Sequence, residues 1–99
     1  MRLSKDQISA IRHIVADTAG ASAQVRIFGS RLRDDAAGGD LDLLVELPSA
    51  VEHPAALSAR LATRISRTLY GRRVDVLVLA PNLRRLPIHD IALREGQSL

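Results

Sequence analysis

Apolar positions along the chain switch between a helical and a strand period, and the switches mark out the elements. Ile8, Ile11, Ile14, Val15 and Thr18 fall on one helical face, Ser4 followed by Gln7 has the form of a capping box, and Gly20 offers a stop, which predicts a helix over about residues 5–19. Residues 24–28 are a short β-prone run halted by Gly29-Ser30, and the polar, glycine-containing stretch 33–39 breaks regular structure. Residues 40–47 alternate: Leu41, Leu43, Val45 and Leu47 share one face and Asp40, Asp42, Leu44 and Glu46 the other, before Pro48 ends the strand. Across residues 53–70, Leu57, Leu61, Ile65 and Leu69 recur every four positions with Arg60, Arg64 and Arg67 off the stripe, a helix closed by Gly71. Tyr70 reads as a core residue at that helix end. Residues 73–80, RVDVLVLA, form the most apolar strand, stopped by Pro81-Asn82, and Ile88, Ile91 and Ala92 suggest a short last helix ending at Gly96. The order α-β-β-α-β-α predicts an α+β domain, with helices packed on a three- or four-stranded mixed sheet.

Composition narrows this picture. Ninety-nine residues, 46% apolar and 25% charged, point to one domain spanning residues 1–99, with little material for a separate substrate domain. The absence of cysteine excludes disulfides, thiolate zinc sites and thiol nucleophiles, and makes a cytoplasmic protein the expectation. No apolar run approaches the roughly 20 residues that span a bilayer, and no membrane partner is expected. The formal charge is +3, and Lys5 is the one basic residue that is not arginine. With Phe28 and Tyr70 as the only aromatics, stacking platforms for single-stranded nucleic acid are lacking, so direct nucleic-acid binding is not expected.

The anomaly is three aspartates inside strands, where β-propensity disfavours them and burial penalises an unpaired charge. Asp40 and Asp42 point the same way with Cβ atoms about 7 Å apart, a spacing at which two carboxylates can share hard cations. Asp75 completes a three-carboxylate cluster if its strand lies beside theirs. Oxygen ligands without histidine or thiolate suit Mg²⁺, with Mn²⁺ as an alternative, and Mg²⁺ commonly takes its other ligands from water and nucleotide phosphates. The plainer alternative makes Asp75 half of a structural ion pair with Arg26 or Arg73. Upstream, Gly29-Ser30 ends a strand where backbone N–H groups and a hydroxyl can receive phosphate oxygens, although as a dipeptide it equally describes an ordinary turn. His13, His53 and His89 show no ligand spacing and suit structural or surface roles.

Taken in order, Phe28-Gly29-Ser30-Arg31-Leu32-Arg33, then Gly39-Asp40-Leu41-Asp42-Leu43-Leu44-Val45, then Val74-Asp75-Val76-Leu77 resemble the Gly-Ser…Asp-x-Asp…Asp signature of the minimal nucleotidyltransferases of the DNA polymerase beta superfamily. The terminal segment 91–96 resembles the way these small domains end. Two positions depart from the pattern, Asp34 where many relatives have glycine and Gly39 where many have serine before the first acid. Neither is a metal ligand, so the departures bear on the loop's grip on phosphate.

The resemblance implies that Asp40, Asp42 and Asp75 are both the catalytic residues and the ligands of two Mg²⁺ ions. It implies that Gly29, Ser30 and Arg31 bind the triphosphate of ATP or another nucleoside triphosphate, with Asp75 helping to deprotonate the acceptor hydroxyl. Small domains of this kind resemble the antitoxin half of HEPN/MNT toxin–antitoxin pairs, in which AMP is attached to a tyrosine of a HEPN ribonuclease toxin. Two further readings stand beside it: an antitoxin that neutralises by binding alone, and transfer to a small molecule such as an antibiotic.

Overall fold

A computed structural model describes residues 3–29 and 41–99. The chain runs α1 (Lys5–Ala19), β1 (Gln24–Phe28), β2 (Leu41–Glu46), α2 (Pro54–Thr68), β3 (Val74–Leu79), α3 (Pro87–Glu95) and β4 (Gln97–Ser98). The strands form one mixed sheet in the order β3-β2-β1-β4, so the fold is α+β as the hydrophobic pattern predicts. β1 is antiparallel to both β2 and β4, whereas β2 and β3 are parallel and joined through α2. A parallel pair needs a crossover of a dozen or more residues, and α2, begun by Pro54 at its first turn, provides it.

Each element starts and stops for a local reason. In α1 the Ser4 hydroxyl accepts from the Gln7 amide at 3.1 Å while the Gln7 side chain accepts from the Ser4 amide at 2.8 Å, so two otherwise orphaned donors are satisfied. Gly20, at φ 105°, closes this helix. At the end of α2 the chain turns through Tyr70 and Gly71, both at positive φ, and Tyr70 is 97% exposed rather than part of the core. The left-handed turn swings its side chain off the helical stripe that ends at the buried Leu69.

The sheet is covered on both faces. Ile11, Ile14 and Val15 of α1 and Leu61 and Ile65 of α2 pack on Val25, Ile27, Leu41, Leu43, Val45 and the valines of β3. On the opposite face, Ala92 of α3 packs with Phe28, Leu44 and Leu79, and Leu44 is completely buried. This second cover explains why β2 carries an apolar residue on what alternation marks as its polar face. A Ser58 hydroxyl donating to the Val76 carbonyl at 2.6 Å pins α2 to β3, and Arg64 joins the two helices by donating to Asp17 at 2.7 Å. Gly96 leaves α3 where a Cβ would lie 2.3 Å from the Ala92 carbonyl oxygen and 3.2 Å from that of Ile27; only glycine lets the chain drop onto the edge of β1. That drop forms β4, two residues too few to show any period in sequence.

The three histidines have the structural or surface roles expected of them, and His89 is the buried one. Its Nδ1 accepts from the Leu86 amide at 2.9 Å and its Nε2 lies 3.3 Å from the Val78 carbonyl, so a neutral ring protonated on Nε2 caps α3 and ties it to β3. Replacing it (His89→Ala) should destabilise the fold by about 1–3 kcal/mol in chemical denaturation, the cost of a lost buried hydrogen-bonding group.

The hydrogen bond from Arg64, and then its positive charge, hold the Asp17 carboxyl below its ordinary value of 3.8. A depressed folded-state pKa contributes stability that is present above the unfolded value and lost as pH falls through the folded one. The stability difference between wild type and Asp17→Asn should therefore be constant from pH about 7 to about 5 and vanish in stronger acid, as followed by denaturation across pH.

Candidate active site

The register of the parallel pair decides the geometry. Asp42 on β2 is the Cα partner of Asp75 on β3, and Phe28 on β1 is the partner of Asp42 on the other side. Residues in register on adjacent strands project to the same face about 4.8 Å apart, so the two carboxylates stand side by side. They lie on the face that α3 covers only in part, since Leu44, two residues beyond Asp42, is already beneath the helix. Asp75 is half exposed, and its Oδ1 stands 3.8 Å from the Arg73 guanidinium, itself largely exposed. This is the ion pair that the plainer alternative names for Arg73, and at that distance in solvent such a contact contributes little. Arg26 belongs to β1, two strands away from Asp75; its Nε is buried without a hydrogen-bond partner among the described residues.

Gly29 explains itself at this row of residues. It sits at φ 76°, and a Cβ there would lie 2.5 Å from Oδ2 of Asp42. The carboxylate therefore occupies the space that a side chain would take, and the backbone turns sharply where β1 ends. Of the expected site residues, the structure brings together Gly29, Asp42 and Asp75. Ser30, Arg31 and Asp40 lie outside the described residues.

The acids open onto a cleft of about 350 Å³. The sheet side supplies Phe28, Gly29, Asp42, Asp75 and Leu77 to its lining, and α3 supplies Ile88, Ile91 and Glu95. A cleft of about 520 Å³ between α1 and the β1–β4 edge is lined by Arg12, His13, Gln24 and mostly aliphatic residues; it lacks a pair of carboxylates, and we place the chemistry in the first. The α3 side of the cleft is what reading the sequence misses. Ile88 and Ile91 signal a helix, but the buried positions of that helix are His89 and Ala92, and the isoleucines turn outward to the acids. Their spacing with Glu95, three residues and then four, was the available signal of a shared face.

Residues 8–98, nearly the whole chain, match the family model for the nucleotidyltransferase domain. The chain belongs to this nucleotidyltransferase family. A search among curated proteins returns no significant match. Membership supports transfer of a nucleotidyl group from a nucleoside triphosphate and fits the α+β fold. Among the described residues, no helix of this nucleotidyltransferase is long and apolar enough to cross a membrane.

The donor set suits divalent cations of the magnesium type. Asp42 and Asp75 present hard oxygen ligands from adjacent strands, and two like charges held this close are stabilised by a shared cation. Gly29 keeps one wall of that cradle clear of side-chain atoms. Gly29→Ala should lower nucleotidyl transfer at least about 100-fold by displacing Asp42, as a misplacement of about 1 Å can do. Circular dichroism should show the secondary structure retained, because the new methyl meets a side chain at the strand end and not the core.

Proposed function

We propose that this nucleotidyltransferase moves AMP from ATP onto a hydroxyl of a partner protein, and that it acts as an antitoxin by modifying a tyrosine of a HEPN-type ribonuclease toxin. The observation that carries the reading is the pairing of Asp42 with Asp75 at the mouth of an open cleft, beside a glycine turn at the end of β1. Family membership supports the reaction class, and the resemblance of the Gly-Ser…Asp-x-Asp…Asp series supports the partner.

Asp42, Asp75 and, by the same resemblance, Asp40 would hold two Mg²⁺ ions. When bound, the ions stabilise the entering oxygen and the departing pyrophosphate in an in-line displacement at the α-phosphorus. The residues of the chain supply the rest. The Gly29 backbone, with Ser30 and Arg31, receives the triphosphate and fixes its direction along the cleft. Asp75, at the outer strand of the pair and half exposed, is reachable by a hydroxyl carried on another macromolecule and takes up its proton as the oxygen attacks. The phosphorus–oxygen bond to the α-phosphate forms as the bond to pyrophosphate breaks.

Incubation with ATP, Mg²⁺ and the protein encoded by the neighbouring gene, followed by intact-mass measurement, should show that partner gaining AMP. Asp42→Asn should reduce the gain at least about 100-fold, because a ligand to the reacting centre is lost. No gain with wild type, or the same gain with Asp42→Asn, would refute the proposal. Neutralisation of the partner that survives replacement of Asp42 and Asp75 together would establish binding as the mechanism instead.

A further inference from the structure

Resting on the nucleotidyltransferase reading above, we infer that Leu77, Ile88 and Ile91 line the acceptor's half of the cleft, and that this apolar wall selects a hydroxyl carried on an aromatic ring. Strand order, exposure and the chemistry of the wall each lead there.

Three strands make the floor of the cleft. β1 ends at Phe28 and the Gly29 turn, Asp42 stands on β2, and Asp75 with Leu77 stands on β3. Adjacent strands are about 4.8 Å apart, so the floor is about 10 Å across. α3 runs in the same direction: His89 in its first turn lies 3.3 Å from the Val78 carbonyl of β3, and Gly96 beyond its last turn packs against Ile27 of β1. Ile88 is therefore at the β3 end, Ile91 follows it, and Glu95 stands beside the Gly29 turn. An in-line displacement puts the attacking oxygen and the departing pyrophosphate on opposite sides of the α-phosphorus. With the β- and γ-phosphates received at the Gly29 turn, as proposed above, the attacking oxygen enters from the β3 side, past Asp75.

That side of the cleft is apolar and open. Ile88 and Ile91 are 40% and 38% exposed, although α3 has a buried face of its own through His89 and Ala92. With Leu77 they line the same concavity as Asp75. Exposed apolar groups inside a concavity, with a few polar groups converging at one place, are the usual make-up of a ligand site.

The side chains of the wall offer neither a hydrogen-bond donor nor an acceptor. A sugar entering here would bury its neighbouring hydroxyls unpaired against aliphatic carbon, and a serine, whose oxygen is one carbon from the backbone, would bring peptide groups against the same wall. A phenol is apolar up to its single hydroxyl, and its ring packs on aliphatic side chains. It also releases its proton more readily than an aliphatic alcohol does, which eases transfer to Asp75. In the step itself the phenol oxygen bonds to the α-phosphorus, the bond to pyrophosphate breaks, and the phenol proton passes to Asp75.

The test is steady-state AMP transfer from ATP, with Mg²⁺, to the protein encoded by the neighbouring gene, comparing the full chain with Ile88→Ser, Ile91→Ser and Ile91→Leu. Peptide mass mapping should place the AMP on a tyrosine, and replacing that tyrosine by serine should lower transfer at least about 100-fold, because the shorter side chain leaves its oxygen out of line. Ile88→Ser and Ile91→Ser should each raise the KM for the acceptor about tenfold and leave the KM for ATP within about twofold. Ile91→Leu, which keeps the wall apolar, should behave as wild type. Equal transfer to the serine variant, or acceptor KM values unchanged by both isoleucine variants, would overturn the inference. A rise confined to the KM for ATP would also overturn it and assign the wall to the nucleoside. Absence of AMP transfer by wild type is a separate result: it refutes the proposed function, and the acceptor subsite with it.

Discussion

The parallel pairing of β2 with β3 governs this molecule. It places two aspartates in register, Asp42 beside Asp75, on the face of the sheet that α3 covers in part. Two adjacent carboxylates are a poor choice for stability, since neither β-propensity nor mutual charge favours them. The sheet tolerates them because they sit at the strand ends nearest the open cleft, while Leu44 and Leu79 take up burial on the same face further along. The pair thus combines a firm backbone, held by a ladder that runs from the Leu41 amide donating to the Arg73 carbonyl to the Leu47 amide donating to the Leu79 carbonyl, with side chains that reach solvent. Rigid strands carrying exposed ligands are what metal-assisted phosphoryl chemistry requires.

The helices follow from that constraint. α2 must be long enough to return the chain for a parallel strand, and its stripe of Leu61, Ile65 and Leu69 gives it a core-facing side. α1 backs the same face, and its tie to α2 through Asp17 and Arg64 is an exposed contact that orients more than it stabilises. α3 is different in kind. It covers the far half of the site-bearing face, fastened by a buried histidine at its start and by a glycine turn at its end, and leaves the near half open. The cleft is therefore the uncovered remainder of a face, bounded by acids on one side and by the outward isoleucines of α3 on the other.

Most of the elements were legible because their signals are local. The Ser4–Gln7 box, the four-residue stripe of the second helix and the alternation ended by Pro48 each act within one turn or one strand, and the helices and strands lie where these signals place them. The exceptions depend on turns and contacts that the hydrophobic pattern does not encode. β4 exists because Gly96 brings Gln97 and Ser98 against Arg26 and Ile27, which no pattern in two residues announces. Tyr70 reads as core from its place after Leu69, yet a left-handed turn exposes it. Ile88, Ile91 and Ala92 mark the last helix, but the pattern does not say which side is buried: His89 joins Ala92 inside because both its ring nitrogens find backbone partners.

The sequence alone determined the chemistry available to this nucleotidyltransferase: acids inside apolar strands, a Gly-Ser turn before them, and neither cysteine nor a histidine pair to compete for a metal. Strand alternation, a local property, also sets the expectation that Asp40 and Asp42 share a face. Only the tertiary structure decided that Asp75 stands beside Asp42, because pairing between strands separated by a whole helix depends on register and direction and not on local spacing. Only the tertiary structure, too, set Gly29 against the Asp42 carboxylate and turned α3's isoleucines toward the acids. Those contacts join residues far apart in the chain, and they exist only once the packing of both sheet faces is complete.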